Sequence, residues 1–475
     1  MLGRKERDFQ PHVVSLEALV PEDNFYREVE AKLDLTFVRD LVQHLYKPFG
    51  RTGIDPVVFF KLQLIMFFEG IRSERQLMDM VAMRLDHRWY IAYDLHQEVP
   101  DHSSLTRIRD RFGLDIFQRF FEQIVQMCID AGLVQGKELY FDGTLVDANA
   151  DYDKQVPRFF AQAQNHLQDL FEEPAPPDPQ PERHFVRKYD GHQRVVKTST
   201  YTRDVDYWVS ATDPDASPMG KFKLGYRTHY VVDGGKARII LTALVTPTTI
   251  QDNTPMIDLA WWVRFRWQLQ PVIGVADNKY GTGINVAALE ANGVRAFMPL
   301  IRTNAEKRAK RFPKSMFTYD AHHNCYICPQ GKQLPYRATK QGTHIYRAYG
   351  RDCRACPVMA QCTPVKQGRT ISHTIYKVYE DRVAAYQATC AYQKAMRKRQ
   401  VWIEPKFGEV KEWHQGRRFR LRGIRKTNIE ALIKAAGQNI KQLLKSKIQK
   451  NNPKPPANMA ALKVIPPILP SPAPY

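Results

Sequence analysis

Two short apolar runs, Leu139-Tyr140-Phe141 and Pro271-Val272-Ile273-Gly274-Val275-Ala276, each lead into an aspartate, Asp142 and Asp277. Runs this short and β-prone, closed by a polar residue, read as strands of a buried sheet. In an open α/β sheet the ends of neighbouring strands line one crevice, so the pattern predicts two carboxylates at one site. Carboxylates held together repel unless a cation sits between them. Mg²⁺ suits that position, being a hard ion with oxygen ligands and a partiality for phosphate substrates. A single strand-end aspartate often only caps a loop; two on separate strands carry more weight. Asp147, five residues beyond Asp142, would face the other side of a continued strand and is expected to support the site or cap a loop.

A third carboxylate is expected from Glu404-Pro405-Lys406-Phe407-Gly408-Glu409-Val410-Lys411. Glu404 and Lys411 are seven residues apart, two helical turns, and so share a face. Glu409 and Glu412 compete with Glu404, but Gly416 and Phe419 stand where each would need its lysine. An exposed acid and base on a surface helix would give the same spacing, so the surroundings decide. Residues 394–426 hold twelve Lys/Arg against three Glu, nearly half of the chain's formal net charge of +20. Trp402, Phe407, Trp413 and Phe419 are interleaved with them. Basic residues mixed with aromatics suit a surface that tracks a phosphate backbone and stacks bases. A second basic run extends from Lys307 to Lys314. An excess of this size points to a polyanionic partner.

The chain has seven cysteines, five of them clustered as Cys325-x2-Cys328 and Cys353-x2-Cys356-x5-Cys362. In a chain that reads as intracellular, such spacing favours a closed, structural zinc site over disulfides. The expected ligands are Cys328, Cys353, Cys356 and Cys362, with Cys325 as the alternative; reduced thiols packed in a small lobe are the competing explanation. Val57 to Phe68, the most apolar stretch, spans twelve residues and includes Lys61 and Gln63. That is too short for a bilayer, and Met1 to Arg7 leads into no apolar segment, so a soluble cytoplasmic protein without a membrane partner is expected. No Gly-x4-Gly-Lys-Ser/Thr, Gly-x-Gly-x-x-Gly or His-Glu-x-x-His occurs; Gly234-Gly235-Lys236 runs on into Ala237. Helicases, dehydrogenases and zinc peptidases are disfavoured, and no nucleotide cofactor is implied.

At 475 residues the chain is long enough for two to four domains. Residues 1–135 read as helical, with starts at Asp55-Pro56, at the capping box Ser73 to Gln76 and at Asp101. The third helix carries Arg107 and Arg109 and suggests a helix-turn-helix reader of DNA; a plain bundle with a solvated arginine face is the alternative. Strand patterns at Tyr226–Val232 and Ala237–Val245, joined by Asp233-Gly234-Gly235, predict a hairpin, and Asp258–Arg266 a helix. A proline cluster from Pro174 to Pro181 reads as a linker, and the tail from Asn451, with eight prolines, as disordered.

Taken together, several motifs resemble bacterial insertion-sequence transposases of the DDE type, in the group with an InsH-like N-terminal domain. They are Gly53-Ile54-Asp55-Pro56, Arg72-Ser73-Glu74-Arg75, Pro100 to Leu105 with Arg109-Asp110-Arg111, Phe141-Asp142-Gly143-Thr144, Thr212-Asp213-Pro214-Asp215-Ala216, Ala276 to Gly281, Glu404 to Gly408, and the cysteines from Cys328 onward. The resemblance covers most of residues 10–445. It implies an α/β catalytic domain of RNase H-like fold, a mixed sheet with flanking helices, preceded by an all-α domain and interrupted by a cysteine-rich insertion. The implied boundaries are 1–135 for a helical DNA-binding domain and 136–310 for the first catalytic part, with a Pro-rich insertion at about 151–200. The zinc-binding insertion would take 311–370, the second catalytic part 371–447, and the tail 448–475. Asp142, Asp277 and Glu404 would hold two Mg²⁺ ions, with Mn²⁺ as a possible substitute. Lys411, Arg397, Arg399, Arg417, Arg418, Arg107 and Arg109 would meet DNA phosphates. The family's tyrosine and arginine, seven and four residues before the glutamate, fall here on Arg397 and Gln400, with Arg399 the nearest substitute. The implied activity is cleavage at element ends and transfer of the 3′-OH into target double-stranded DNA, by a homodimer. A nuclease without strand transfer and a non-catalytic, zinc-containing DNA-binding protein are the alternatives.

Overall fold

The computed structural model of the chain describes residues 13–47, 53–157, 185–189, 195–199, 208–219, 223–301 and 311–446. The proline cluster, residues 307–310 of the Lys307–Lys314 run and the proline-rich tail lie outside them.

The central sheet is mixed. Its long strand β1 (Glu138–Asp147) has β2 (Ser217–Pro218), β3 (Leu224–Asp233) and β4 (Ile240–Pro247) to one side, and β5 (Ile273–Val275) and β6 (Arg295–Phe297) to the other. The order is β6-β5-β1-β3, with β4 and β2 both on β3. β1, β5 and β6 are parallel, whereas β3 is antiparallel to β1, β2 and β4. The expected hairpin is present as β3 and β4. The expectation that Asp142 ends its strand is corrected. β5 pairs with β1 only from Glu138 to Tyr140, but β3 pairs with it as far as Asp147. The antiparallel neighbour keeps β1 extended through Asp142, and Asp142 sits where the parallel neighbour stops.

Helices cover both faces. On one, a side chain at Gly274 would meet Leu289 of α6 (Gly283–Ala291), which follows α5 (Met256–Arg266). On the other, Phe407 of α9 (Glu404–Trp413) stacks on Tyr230 at 4.6 Å. Tyr230 is the direct partner of Asp142, so α9 lies on the face to which Asp142 points. α7 (Lys377–Tyr386) and α8 (Cys390–Trp402) precede α9, and α10 (Ile424–Lys445) follows it.

α10 closes the sheet edge. The side-chain amide of Asn428 accepts from the Val245 N–H (2.8 Å) and donates to the Val245 carbonyl (3.0 Å). Asn439 does the same with Ile240, at 2.8 Å for both bonds. Two asparagines eleven residues apart, three helical turns, thereby satisfy backbone groups that an edge strand leaves open. The first turn of α10 is tied down as well: Asp213 accepts from Gly423 N–H (3.1 Å) and from the Tyr226 hydroxyl (2.6 Å), and Asp215 from Ile424 N–H (2.8 Å).

The N-terminal helices α1 (Phe25–Lys32), α2 (Pro56–Phe68) and α4 (His102–Asp130) pack on the outer side of α10, and α3 (Glu74–Met83) packs on α2 and α4. The starts at Asp55, Ser73 and Asp101 are present, each cap accepting a backbone N–H. A side chain at Gly437 would strike the Phe67 ring, so the bare glycine lets α2 and α10 touch. One hydrophobic core runs from Tyr26 through Phe117 and Tyr140 to Leu444. The predicted boundary at residue 135 is therefore no break in the packing. α4 is not a short helix either: it continues for 29 residues, kinked at Gly113 where φ is 63°. Leu105, Ile108, Arg109 and Phe112 face the core, so this side of the expected DNA-reading helix is not free to enter a groove.

Residues 318–374 form a separate antiparallel sheet of five strands, β7 (Thr318–Asp320), β8 (Cys325–Ile327), β9 (Gln333–Lys340), β10 (Thr343–Arg347) and β11 (Thr370–Thr374). Phe317, Tyr326, Leu334, Tyr346, Ala348 and Ile371 fill its own small core. Among the described residues no helix is long and apolar enough to cross a membrane.

If the asparagine clamps hold the edge, Asn439→Leu should lower stability by about 2–4 kcal/mol, because the Ile240 N–H and C=O would be buried without partners. Urea unfolding followed by circular dichroism reads this directly; an unchanged midpoint would show that the clamp contributes nothing.

Candidate active site

Sheet register brings the two aspartates together. Tyr140 pairs with Val275 at the end of the parallel ladder; Asp142 lies two residues on along β1 and Asp277 two residues beyond the end of β5, near enough for the Asp277 charge to act on Asp142. Asp142 is largely buried, and burial pushes its carboxyl up to about 6. Arg399 and the Gly143 N–H (2.9 Å) pull it down, while the charges of Asp277 and Glu404 raise it further. Asp277 accepts from the Lys279 N–H at 2.9 Å, which fixes its rotamer at the start of the next loop.

Glu404 arrives on the helical layer. α8 and α9 would be one helix but for Pro405, which has no N–H to donate and so occupies the first turn of α9. The chain breaks at the fully buried Ile403. The break swings Arg399, in the last turn of α8, against Glu404, in the first turn of α9. Its guanidinium donates to Asp142 Oδ2 and to Glu404 Oε1, both at 3.2 Å. One cation thus bridges two of the predicted carboxylates, and the arginine of the site is Arg399. Arg397 is exposed on the outside of α8. The family's arginine position falls on Gln400, and the bridge is made by Arg399, the nearest substitute.

Lys411 reaches the same side of β1. Its Nζ donates to Thr144 Oγ1 at 2.6 Å, two residues from Asp142 on the same face. Burial lowers its pKa, with Arg417 adding to the effect and Asp147 and Asp142 opposing it. Lys398 anchors α8 to the sheet by its 2.5 Å pair with Glu138, and Trp402 by donating to the Gly235 carbonyl at 2.9 Å. All three acids, Lys411 and Arg399 are therefore gathered at one place.

Other expectations are corrected. Arg109 is 2% exposed and contacts Glu74, which also takes Thr106 (3.0 Å) and Arg420 (3.1 Å). It belongs to the interior joint between α3, α4 and the segment before α10, out of reach of DNA. Arg107 is exposed, donating to Ser103 at 3.0 Å. Arg417 pairs with Glu412 on the surface. Arg418 donates to the Ala148 carbonyl at 3.0 Å and so also fastens the chain beside the end of β1. Of the four interleaved aromatics, Phe407 and Phe419 are buried and Trp402 is packed under Arg238 and Lys398. Trp413 alone of the four is broadly exposed, at 74%. Most of the aromatic interleaving is core packing, not a base-stacking surface.

Among the cysteines, burial raises the Cys362 thiol, and the proximity of Cys353, Cys328 and Cys356 raises it further. The four preferred ligands therefore lie near one another, while Cys325 is buried within β8. The Lys332 N–H donates to Cys328 Sγ at 3.3 Å. Among the described residues, no group of three or more His, Cys, Asp or Glu side chains is drawn to metal-binding spacing.

Sequence reasoning missed a second set of polar residues behind β1. A side chain at Gly143 would meet Asp252 Oδ1, His229 Nδ1 and the Tyr280 hydroxyl. His229 and Asp252 are buried, and burial pushes His229 down to about 4, so it is neutral. The tight Asp142-Gly143 step was the one available signal: only glycine leaves room there.

A transposase domain of the DUF772 family matches residues 14–111, and a transposase DDE domain matches residues 327–444. The second match contains Glu404, Arg399, Lys411 and the four cysteines; the first contains α1 to α3 and the start of α4. No curated protein matches the chain significantly. Two separate stretches of the chain thus resemble insertion-sequence DDE transposases, enzymes that act on DNA.

Proposed function

We propose that Asp142, Asp277 and Glu404 form the divalent-metal centre of a DNA-cleaving and strand-joining transposase with an RNase H-like core. The observation that carries this reading is the bridge from Arg399 to Asp142 and Glu404. The donor set is all oxygen and suits Mg²⁺, or Mn²⁺ in its place. The guanidinium occupies ground that a cation between these carboxylates would share. The sheet order, with a long antiparallel β1-β3-β4 meander and two parallel strands beyond β1, supports the fold assignment. Two ions bound there would stabilise the attacking and leaving oxygens of an in-line phosphoryl transfer.

The chain's own groups supply the rest. Lys411, fixed by Thr144, offers an ammonium to the phosphate beside Asp142. The break before Pro405 sets the angle at which Glu404 faces the sheet. Arg399 neutralises the acids while DNA is absent and is within reach of a phosphate when it arrives. The same centre serves hydrolysis, which releases a 3′-OH, and attack of that hydroxyl on target duplex. Because two element ends are joined, a homodimer is the working assembly. We assign Cys328, Cys353, Cys356 and Cys362 to a structural zinc site in the 318–374 sheet, supported by their mutual proximity. The enzyme would act where the DNA is, in the cytoplasm.

Asp142→Asn should reduce Mg²⁺-dependent nicking of supercoiled plasmid by at least about 10³-fold with DNA affinity kept within about threefold. Nicking at the wild-type rate would remove Asp142 from the centre. The pH dependence has a definite sign. Asp142 titrates near 6, and a cation needs its ionised form. Mn²⁺ affinity measured by calorimetry should therefore fall about tenfold from pH 7 to pH 5, and much less in Asp142→Asn. Equal slopes in both proteins would contradict the pKa assignment. Elemental analysis of purified protein should find about one zinc per chain, lost in a Cys353→Ser, Cys356→Ser double variant; zinc-free wild-type protein would end the structural-site assignment.

A further inference from the structure

Behind β1 a buried acid is paired with two cations. Asp252 is 4% exposed and sits against Gly143, next to Asp142 in sequence but on the opposite face of the strand. Its carboxylate contacts Arg227, which is itself mostly buried, and accepts from Lys279 Nζ at 3.3 Å. Burial alone would raise the Asp252 carboxyl, but the bonds from Arg227 and Lys279 more than offset this and hold it below the usual range. Arg227 is enough to balance Asp252, and His229 beside them is neutral. Lys279 is thus a second cation on Asp252, and its side chain is 62% exposed.

Lys279 is also two residues from Asp277, whose carboxylate accepts the Lys279 N–H. The loop thus couples an acid of the cluster to a lysine whose ammonium is drawn behind β1. Lys411 stands on the other face, fixed by Thr144. One lysine thus meets the β1 region on the Asp142 face and the other on the Gly143 face. A buried acid that needs one cation but takes two, the second mostly in solvent, positions that second cation for something else. Near a site that acts on DNA, the polyanion with matching chemistry is a backbone phosphate.

We propose that Lys279 binds a DNA phosphate on the Asp277 side of the cluster, opposite Lys411, and that Asp252 is the residue that positions it. This rests on the metal-centre reading above, but its phosphate contact is tested by a quantity that needs no cleavage. Binding of a 40-base-pair duplex by the full-length protein is measured in Ca²⁺ across a range of NaCl concentrations. Lys279→Met should reduce the slope of log Kd against log salt by about one, and Lys279→Arg should restore it. Asp252→Asn keeps the lysine, so the slope should stay within half a unit of wild type. Its plasmid-nicking kcat in Mn²⁺ should nevertheless fall about tenfold, with KM little changed, as for a misplaced contact. Melting temperatures within a few degrees of wild type show that each variant is folded; for a variant that is not, Lys279→Gln and Asp252→Glu replace it in the same assays. A wild-type slope in folded Lys279→Met would overturn the phosphate contact, and an unchanged kcat in folded Asp252→Asn would overturn the positioning role. Absence of nicking by the wild type would instead count against the metal centre and leave the slope measurement standing.

Discussion

Three carboxylates cannot share one crevice unless something positive stands among them, and in this protein that is Arg399. Its two 3.2 Å bonds join Asp142, delivered by the sheet, to Glu404, delivered by the helical layer. The cost of crowding appears in Asp142, whose carboxyl is raised to about 6 by burial, with Asp277 and Glu404 adding to it. Such a site stores repulsion in the absence of DNA. In the proposed metal centre, bound cations would relieve that repulsion.

The crevice keeps its shape because its two walls are locked independently. On the sheet side, β3 holds β1 extended past the point where β5 ends, which exposes the Asp142 position to the crevice. On the helical side, Pro405 breaks the chain, and Lys398, Trp402 and Phe407 pin the fragments to the sheet. Behind them α10 clamps β4 through Asn428 and Asn439 and carries the N-terminal helices on its far side. The N-terminal region thus shares its core with the central sheet and is not tethered to it as a separate module. A DNA segment bound on the exposed side of α4 would be held at a fixed distance from the acids.

Much of this was legible in the chain. Short β-prone runs ending in Asp142 and Asp277 revealed the sheet face, because alternation and strand pairing are local properties. The seven-residue spacing of Glu404 and Lys411 lies within one helix and survived. Three things were hidden, each because it depends on tertiary partners. The continuation of β1 through Asp142 requires β3, some eighty residues away. The bridge that Arg399, and not position 400, makes to both acids depends on a helix break whose angle no periodicity reports. The burial of Phe407, Phe419 and Arg109 shows the limit of composition: a basic, aromatic-rich stretch can be a surface, or a charged skin over a core, and spacing alone does not separate them. Asp252 and Lys279 escaped notice for the same reason, since they meet only across the folded strand.

The central claim is that Asp142, Asp277 and Glu404 converge on bound cations when Arg399 gives way. Crystals of the protein grown with a DNA duplex and Mn²⁺, measured at the manganese absorption edge, test it most directly. Anomalous density enclosed by the three carboxylates, with the Arg399 guanidinium moved off Asp142 and Glu404, is the predicted result. Manganese bound elsewhere, or none, with Arg399 still bridging the two acids would contradict it.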